Sequence, residues 1–418
     1  MSRLVSPLDH ALEAVIRPPG SKSFTNRALI VAALAHGGAS RLFDPLEADD
    51  TEAMRSCLRD LGVLIDDGDD PWLVLGTGGS LAAPQQPLNA RASGTTARFV
   101  TAVAPLAAGP VTIDGTHRMR ERPIGHLVDA LVSMGADVES TGGYPPVTVR
   151  PSPLSGGEVT IDGRASSQFV SALLMLAPMV GQEVTVRLAE GDLVSRPYVI
   201  STLEVMEAFG AEVEDRGDRF VVAPTAYRKA HYHIEADASA AAYPLVAAAI
   251  TGGLVAIEGI PPTSTQADLA LLGVLEQMGC TVERQPSRIV LRGPEQLRAV
   301  DVDMNEAPDA VLALAVACLF AYGPSIIRNI GNLRLKETDR LAALENELKR
   351  VGAHVFVEGD AVLIRPDELH GAKIETYDDH RMAMSFALVG LKIPGIEILD
   401  PGCVAKTWPR YFDVLDAM

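Results

Sequence analysis

Cysteine, aromatic residues and positive charge are all scarce in this chain. The four cysteines, Cys57, Cys280, Cys318 and Cys403, lie far apart among 418 residues and form no CxxC pair. This spacing argues against a disulfide framework or a cysteine-bound metal, and it suits a reducing compartment. Acidic residues outnumber basic ones by 54 to 36, which argues against a nucleic-acid partner. A small anionic ligand stays compatible, because basic side chains can cluster locally in an acidic protein.

Long hydrophobic runs are also missing. The longest apolar stretch, 310–322, is too short to span a bilayer and is expected to form a buried helix. The first residues, MSRLVSPLDHALEA, lack the charged and then apolar pattern of a signal peptide. The sequence therefore predicts a cytoplasmic location and no membrane partner.

A short phrase with a central glycine recurs five times. Its glycines, at positions 62, 135, 210, 279 and 352, lie 69 to 75 residues apart. An amphipathic stretch precedes each glycine and two strand-like stretches follow it. The glycine therefore fits the position just after a helix end, where φ is positive. Such regular spacing predicts a repeated structural unit.

A second kind of segment, rich in small apolar residues, recurs six times. Examples are NRALIVAALAHG and SSQFVSALLMLAPMVG, and a strand-like stretch follows each copy. A helix that is apolar on nearly every face is buried. We therefore expect an α/β fold of six β-α-β-α-β-β units, each with one buried and one outer helix.

The sixth unit is expected to be split between the two chain ends. Its outer helix would lie at 407–418, and its last strands, LVSPLD and LEAVIRP, at 4–9 and 12–18. The chain would then cross between two groups of three units. This organisation predicts one domain formed by residues 1–20 with 237–418, and a second domain formed by residues 21–236.

The segment PPGSKSFTNR, residues 18–27, combines a turn, a helix start and two cations. Free N–H groups at a helix start favour an anion, and Lys22, Arg27 and the Ser23 hydroxyl would add to that preference. A plain capped helix explains the same residues equally well, because Ser, Thr and Asn are good N-caps. A GxxxxGK phosphate loop is excluded, since no glycine lies five residues before Gly20.

Further basic residues occur beside the starts of the predicted buried helices and in loops. They include Arg98, Arg118, Arg120, Arg122, Lys336, Arg340, Arg381 and Lys406. Arg binds carboxylate or phosphate through paired hydrogen bonds, and Lys acts as a point charge. Asp309 and Glu337 are candidate proton carriers among these cations, which favour an ionised carboxylate that acts as a base. A structural ion pair is the alternative for either acid.

Seven stretches resemble the 5-enolpyruvylshikimate-3-phosphate synthases (3-phosphoshikimate 1-carboxyvinyltransferases). They read PPGSKSFTNRALI, HRMRERPIGHLVDAL, SSQFVSALLMLAP, SRPYV, RLKETDRL, DDHRMAM and CVAKTWP. The resemblance runs from about residue 10 to the end of the chain. It implies a two-domain, inside-out α/β barrel-like fold of six βαβαββ repeats, three per domain, with the active site in an interdomain cleft.

The same resemblance implies a reaction. An enolpyruvyl group would pass from phosphoenolpyruvate to the 5-hydroxyl of shikimate 3-phosphate through a tetrahedral intermediate, with release of phosphate. This step of the shikimate pathway leads to chorismate and the aromatic amino acids. The resemblance implies no metal and no cofactor, and we expect a monomer with the two substrates as its partners.

Site residues are carried over from the resemblance position by position. The implied catalytic residues are Asp309, as acceptor of the 5-hydroxyl proton, Glu337, which serves the methylene carbon, and Lys22. The implied shikimate 3-phosphate site comprises Lys22, Ser23, Arg27, Ser166, Ser167, Gln168, Ser195, Tyr198, Asp309, Asn332 and Lys336. The implied phosphoenolpyruvate site comprises Lys22, Gly94, Arg122, Gln168, Arg340, Arg381 and Lys406.

One segment departs from the family pattern. Family members commonly read LGNAGTAMRP where this chain reads ARASGTTARFV, and the changed positions include Ala92, Ser93, Thr96 and Phe99. Gly94 and the helix start persist, so we expect catalysis to persist. Because the segment shapes the pocket for phosphoenolpyruvate and for the inhibitor glyphosate, we expect altered glyphosate sensitivity.

Two alternatives stay open on the sequence. The first is the sister enolpyruvyl transferase that acts on UDP-N-acetylglucosamine, which usually has a Cys in the loop matching 115–122. Here that loop reads GTHRMRER, without Cys. The second alternative is a non-catalytic anion-binding protein of the same fold, for which Asp309 and Glu337 would be dispensable.

Overall fold

The computed structural model of the chain describes residues 2–164 and 166–418 and divides into two compact units. The central unit is Gly20–Ile234, and the terminal unit combines Met1–Pro19 with Glu235–Met418. The chain passes between the units after Pro19 and after Ile234.

Twelve α-helices lie in the described residues. They are α1 (Lys22–Leu34), α2 (Asp49–Asp60), α3 (Gly94–Val103), α4 (Gly125–Ser133), α5 (Ser167–Leu176), α6 (Arg196–Ala208), α7 (Ala238–Thr251), α8 (Ala270–Gln277), α9 (Val311–Cys318), α10 (Arg340–Arg350), α11 (His380–Gly390) and α12 (Tyr411–Asp416).

Twenty-five strands lie in the same described residues. They are β1 (Ser2–Leu4), β2 (Glu13–Ile16), β3 (Ala39–Phe43), β4 (Leu64–Asp66), β5 (Trp72–Leu75), β6 (Leu88–Asn89), β7 (Val111–Asp114), β8 (Asp137–Thr141), β9 (Tyr144–Arg150), β10 (Gly157–Gly163), β11 (Val184–Leu193), β12 (Val213–Asp215), β13 (Arg219–Val222), β14 (His231–His233), β15 (Leu254–Glu258), β16 (Thr281–Arg284), β17 (Arg288–Arg292), β18 (Leu297–Arg298), β19 (Asp301–Asp303), β20 (Ala321–Tyr322), β21 (Ser325–Arg328), β22 (His354–Glu358), β23 (Ala361–Arg365), β24 (Lys373–Ile374) and β25 (Glu397–Leu399).

The repeat forms a small sheet with a constant strand order. In the third unit the order is β10-β11-β13-β12, with β10 parallel to β11 and the β12–β13 hairpin antiparallel. Four other sheets repeat this pattern. A buried helix joins the two parallel strands, and an outer helix leads to the hairpin. The predicted β-α-β-α-β-β unit is therefore confirmed.

The strand before each chain crossing corrects one prediction. β2 pairs in parallel with β15, so LEAVIRP opens the fourth unit, and its assignment to the sixth unit is wrong. Similarly, β14 pairs in parallel with β3 and completes the first unit. The physical reason is that alternating side chains reveal a strand but not whether its neighbour runs parallel or antiparallel.

The sixth unit is split as predicted, but its sheet has three strands. β1 pairs antiparallel with β25, and β24 pairs parallel with β25. The short helix α12 is the outer helix of this unit.

The buried helices form one hydrophobic core in each unit. Every residue of α9 and of α11 is buried, as is α1 from Phe24 onward. The stretch predicted as one buried helix at 310–322 is shorter than expected, because α9 ends at Cys318 and β20 follows. Within the described residues, none of the helices combines the length and the apolar character needed to cross a membrane.

The five repeated glycines end the outer helices as predicted. Their φ angles lie between +86° and +106°, in the left-handed region. After α2, the Gly62 N–H binds the Arg59 carbonyl at 2.9 Å and the Val63 N–H binds the Leu58 carbonyl at 3.0 Å. This pair of bonds is the Schellman helix ending, which favours glycine at its left-handed position.

Candidate active site

In the central unit, hydrogen bonds join the first turns of three buried helices. Asn26 of α1 donates from Nδ2 to Thr95 Oγ1 of α3 at 2.8 Å. Arg98 of α3 donates from Nη1 to Gln168 Oε1 of α5 at 2.6 Å. Three helix N-termini and their positive dipole ends are thereby held together, which is favourable for an anion.

Arg27 adds a buried cation to these helix starts. Its guanidinium donates to Thr202 Oγ1 at 2.7 Å, the Ser23 carbonyl at 2.9 Å, the Tyr198 carbonyl at 3.0 Å and Ser171 Oγ at 3.4 Å. All four acceptors are neutral. Burial lowers the pKa of Arg27 to about 10, so the side chain still carries its charge at neutral pH. A buried cation held by neutral oxygens is suited to receive an anionic or hydroxyl-rich ligand.

The helix after PPGSKSFTNR begins earlier than the capping interpretation requires. α1 starts at Lys22, and Ser21 at the N-cap position makes no side-chain capping bond. Thr25 lies inside the first turn, donates to the Ser21 carbonyl at 2.8 Å and accepts from the Leu46 N–H at 3.0 Å. The interpretation of Ser23, Thr25 and their neighbours as caps is therefore wrong.

Lys22 forms an ion pair that the sequence analysis missed. Its Nζ lies 3.2 Å from Asp50 Oδ2, and the Asp50 side chain is 5% exposed. Asp50 stands in the first turn of α2, where a carboxylate also interacts favourably with the helix dipole. The pair of aspartates at the start of an amphipathic stretch is the signal that could have indicated it.

Gly94 gives two arginines access to the start of α3. A Cβ atom at this position would lie 2.7 Å from Arg122 Nη2 and 2.7 Å from Arg98 Nη1. Both arginines are buried. Two cations thus converge on a helix N-terminus, and only glycine leaves this space open.

The segment that departs from the family pattern is internally hydrogen-bonded. Thr96 Oγ1 donates to Ser93 Oγ at 2.8 Å, and Ser93 in turn caps α3 by accepting from the Thr96 N–H. Phe99 is fully buried, and the Arg27 Cζ lies 5.4 Å from its ring centroid. The changed residues therefore alter the support beneath Gly94 and Arg27.

The remaining central-unit candidates lie at the starts of α5 and α6. Ser166 is the N-cap of α5 and accepts from the Gln168 N–H at 3.3 Å. Ser167 follows and is 5% exposed. Ser195, with a left-handed φ of +54°, precedes α6, whose first turn contains Tyr198. The backbone at Ser195 is strained for a non-glycine residue, a feature that concentrates at functional sites.

In the terminal unit, a buried arginine contacts three carboxylates. Arg340, the first residue of α10, is 1% exposed. Its Nε lies 2.7 Å from Asp379 Oδ2, its Nη2 2.8 Å from Glu337 Oε2 and its Nη1 3.1 Å from Asp309 Oδ1. Burial lowers the pKa of Arg340, but Asp379, Glu337 and Asp309 more than offset this effect and raise the pKa above its usual value.

Asp309 contacts two further cations. Its Oδ2 lies 2.9 Å from Arg381 Nη2, and its Oδ1 lies 3.8 Å from Lys336 Nζ. Arg381 Nη1 also donates to the hydroxyl of Tyr243 at 3.3 Å. Burial raises the pKa of Tyr243 to about 12, so that hydroxyl stays neutral. The surrounding cations favour the ionised form of Asp309, which is the form a base needs.

Asn332 and Lys406 complete the terminal-unit candidates. Asn332 Oδ1 is buried and has no hydrogen-bond partner among the described residues. An orphaned buried acceptor is rare and is consistent with a site for a donor on a ligand. Lys406 is 7% exposed, and its charge acts on Asp378, whose pKa is raised by burial and lowered in part by Lys406.

The predicted site residues thus fall into two clusters, one in each unit. The central cluster contains Lys22, Ser23, Arg27, Gly94, Arg122, Ser166, Ser167, Gln168, Ser195 and Tyr198. The terminal cluster contains Asp309, Asn332, Lys336, Glu337, Arg340, Arg381 and Lys406.

Among residues 2–164 and 166–418, no group of His, Cys, Asp and Glu has an arrangement that could hold a metal ion.

Comparison with known proteins decides the family. Residues 8–415 match the EPSP synthase (3-phosphoshikimate 1-carboxyvinyltransferase) family. The chain belongs to this family. A 3-phosphoshikimate 1-carboxyvinyltransferase of Nostoc punctiforme is 44% identical over 98% of this chain and 97% of its own length. The enzyme of that name from Photobacterium profundum is 46% identical over 95% of this chain and 94% of its own.

Solved structures confirm the expected fold. The EPSP synthase from Acinetobacter baumannii matches with a TM-score of 0.83 at 27% identity, covering 99% of this chain and 97% of that one. The enolpyruvyl transferase NikO from Streptomyces tendae matches with a TM-score of 0.78 at 17% identity, covering 99% and 96%. The predicted two-domain, inside-out α/β fold is that of this EPSP synthase family member.

Proposed function

We propose that this EPSP synthase family member transfers the enolpyruvyl group of phosphoenolpyruvate to the 5-hydroxyl of shikimate 3-phosphate. The products are 5-enolpyruvylshikimate 3-phosphate and phosphate. The reaction is a step towards chorismate and the aromatic amino acids. The observation that carries the proposal is the pair of acids, Asp309 and Glu337, held by one buried Arg340 among further cations. In a non-catalytic anion-binding protein, the two acids would serve only as ion-pair partners of Arg340.

The chemistry is an addition followed by an elimination. The 5-hydroxyl oxygen bonds to C2 of phosphoenolpyruvate, the hydroxyl loses its proton, and the methylene carbon gains one to become a methyl group. The tetrahedral intermediate then loses phosphate from C2 and a proton from the methyl group, which restores the double bond. The reaction therefore requires a base that takes the hydroxyl proton. It also requires a group that first gives a proton to the methylene carbon and later removes one from the methyl group.

Asp309 and Glu337 supply these two functions. Asp309 contacts Arg340, Arg381 and Lys336, and these cations favour the ionised form that can accept the hydroxyl proton. Glu337 contacts Arg340 from the other side and serves the methylene carbon, with Lys22 or Lys406 assisting. The shared contact with Arg340 fixes both carboxylates relative to each other.

Shikimate 3-phosphate is bound mainly by the central cluster. Arg27, Ser23 and Gln168 meet the ring hydroxyls, and the hydroxyls at the starts of α5 and α6 meet the phosphate, as their helix-start positions favour. From the terminal cluster, Lys336 and the orphaned amide oxygen of Asn332 take part.

Phosphoenolpyruvate is bound by cations from both clusters. The central cluster offers Lys22 and Arg122 beside Gly94, and the terminal cluster offers Arg340, Arg381 and Lys406. The carboxylate and the phosphate of this substrate each suit a paired guanidinium. The open space at Gly94 lets the substrate reach the helix start.

The deciding experiment measures phosphate release from phosphoenolpyruvate with two acceptors. Rapid release with shikimate 3-phosphate, and none without it or with UDP-N-acetylglucosamine, is the expected result. Release with UDP-N-acetylglucosamine alone would identify the sister enzyme, and no release with either acceptor would favour the anion-binding protein.

Several sequence-based expectations stay predictions. They are the location of the active site in a cleft between the units, the monomeric state, the cytoplasmic location and the altered response to glyphosate. We further propose that the cleft closes on the substrate, which small-angle scattering can test. We expect compaction when shikimate 3-phosphate is added, and an unchanged radius of gyration would contradict the closing cleft.

A further inference from the structure

The segment 375–379 leads into α11 and supports both buried arginines of the terminal cluster. Asp379 at its end binds Arg340, and Arg381 two residues later binds Asp309. Two consecutive residues of this segment, Tyr377 and Asp378, both have φ of +54°. A left-handed non-glycine residue is strained, and it persists only where neighbouring contacts hold it.

Glu347 of α10 supplies such contacts. Its Oε1 accepts a hydrogen bond from the Tyr377 hydroxyl at 2.8 Å, and its Oε2 accepts one from the Glu375 N–H at 3.1 Å. The Arg350 Nε also lies 3.0 Å from Oε2. The side chain of Glu347 is fully buried, although α10 is an outer, amphipathic helix.

The helix therefore holds this segment at two points. Arg340 and Glu347 lie seven residues apart, which is close to two full turns, so both project from one face of α10. Arg340 binds the end of the segment through Asp379, and Glu347 binds its beginning through Glu375 and Tyr377. The strained residues lie between the two points of attachment.

Burial also affects the protonation of Glu347 and Tyr377. It raises the pKa of Glu347, an effect that the bonds from Tyr377 and Glu375 partly reverse. Burial and the bond to Glu347 also raise the pKa of Tyr377, so its hydroxyl keeps its proton and donates. Asp378, the next residue, interacts electrostatically with Lys406. The segment is thereby linked to a third cation of the terminal cluster.

We propose that Glu347 and Tyr377 are positioning residues for phosphoenolpyruvate binding. They hold the strained turn that sets Asp379 against Arg340, Arg381 against Asp309, and Asp378 near Lys406. Neither side chain touches substrate in this account. The inference rests on the proposed function, because it assumes that Arg340, Arg381 and Lys406 bind phosphoenolpyruvate.

The test compares the two Michaelis constants in Tyr377→Phe and Glu347→Gln. Tyr377→Phe removes one buried hydrogen bond, and Glu347→Gln replaces the carboxylate that accepts from Tyr377 and Glu375 and pairs with Arg350. Both variants keep the shape of the side chain. We expect KM for phosphoenolpyruvate to rise about three- to tenfold, the equivalent of one net hydrogen bond, and KM for shikimate 3-phosphate to change less than twofold. In the double variant the effects should be less than additive, because both changes break the same contact.

Tyr227→Phe is the matched control. Tyr227 is a fully buried tyrosine of the central unit whose hydroxyl donates to the Met175 carbonyl at 3.0 Å. Its loss should lower the unfolding free energy comparably and leave both Michaelis constants unchanged. The proposal is overturned if Tyr377→Phe leaves KM for phosphoenolpyruvate unchanged or raises both constants alike.

The proposed function and this inference fail in different ways. If wild-type protein releases no phosphate with shikimate 3-phosphate, the proposed function fails. If wild-type turnover is normal and the split between the two Michaelis constants is absent, only the role of Glu347 and Tyr377 fails. If Glu347→Gln does not fold, Tyr377→Phe alone still decides the question.

Discussion

The two units each bury an arginine at the centre of their cluster, but they surround it differently. Arg27 in the central unit donates to neutral hydroxyl and carbonyl oxygens. Arg340 in the terminal unit contacts the carboxylates of Asp309, Glu337 and Asp379. Burial lowers the pKa of Arg27, whereas the carboxylates raise that of Arg340.

This difference indicates that the two units have different functions in the proposed reaction. A cation held by neutral oxygens keeps its capacity for an anionic or polar ligand, so the central cluster is suited to binding. A cation shared among carboxylates holds those groups in place and favours the ionised form of Asp309, so the terminal cluster is suited to proton transfer. The two buried arginines thus serve two purposes through the choice of their partners.

The largest expected effect that tests this difference between the clusters is on the catalytic rate. Asp309→Asn removes the proposed base while keeping its size, and kcat should fall by roughly a hundredfold to ten-thousandfold. Steady-state phosphate release measures it. Asp301→Asn, an exposed acid of the same unit paired with Arg328, should leave kcat unchanged. Near-normal turnover of Asp309→Asn would remove Asp309 from the mechanism.

The second effect concerns stability and sets the two arginines against each other. Arg340→Met leaves buried Asp379 without its partner and should lower the unfolding free energy by about 3 to 5 kcal/mol. Arg27→Met should lower the unfolding free energy by only about 1 kcal/mol, because the groups that lose Arg27 are neutral. One of them, the Tyr198 carbonyl, still accepts a hydrogen bond from Thr202. Urea unfolding provides both values. Equal losses would show that the partners do not differ in the way described.

Much of this organisation is predictable from the sequence, for identifiable reasons. The glycines such as Gly62 and Gly210 mark helix ends because a left-handed φ strongly favours glycine, and apolar helices such as α9 are recognisable by their composition. Motif resemblance indicated the site residues. These features are local, so a linear pattern contains them.

The errors and omissions concern contacts between distant residues. The parallel pairing of β2 with β15 joins residues about 240 positions apart, and alternation cannot reveal its direction. The Lys22–Asp50 pair and the buried Glu347–Tyr377 bond likewise form only on folding. In sequence, Asp50 and Glu347 look like ordinary acids of amphipathic helices.

A smaller effect sharpens the role of the central cluster. In Gly94→Ala, the new methyl group would displace the ends of Arg122 and Arg98, which are flexible, so the fold should persist. We expect KM for phosphoenolpyruvate to rise about tenfold, the equivalent of 1.4 kcal/mol of lost binding. Enzyme kinetics and glyphosate inhibition curves measure the change. Gly273→Ala in α8, where a Cβ meets no atom within 4 Å, is the control and should bind normally.

Glyphosate response tests the altered segment directly. We expect the inhibition curve of this chain to differ from that of a family member that reads LGNAGTAMRP, because Ser93, Thr96 and Phe99 change the support of Gly94 and Arg27. Indistinguishable curves would contradict that expectation.

The smallest effect is a pH dependence of stability in the terminal unit. Burial raises the pKa of Glu347 in the folded state, so the folded protein keeps this proton at pH values where the unfolded chain has lost it. The unfolding free energy therefore falls as pH rises from below the unfolded pKa through the folded one. Relative to Glu347→Gln, wild type should lose stability between acidic and neutral pH in urea unfolding. If the difference in unfolding free energy between wild type and Glu347→Gln does not change with pH, the raised pKa of Glu347 is excluded.

The most direct test of the division between the clusters is equilibrium binding of shikimate 3-phosphate, measured by titration calorimetry on two variants. Arg27→Met should weaken binding by about tenfold to a hundredfold, because it removes charged hydrogen bonds to the ligand. Asp309→Asn should bind within about threefold of wild type while its kcat collapses, since the amide still accepts a hydrogen bond. Normal binding by Arg27→Met, or equal weakening in both variants, would contradict the account.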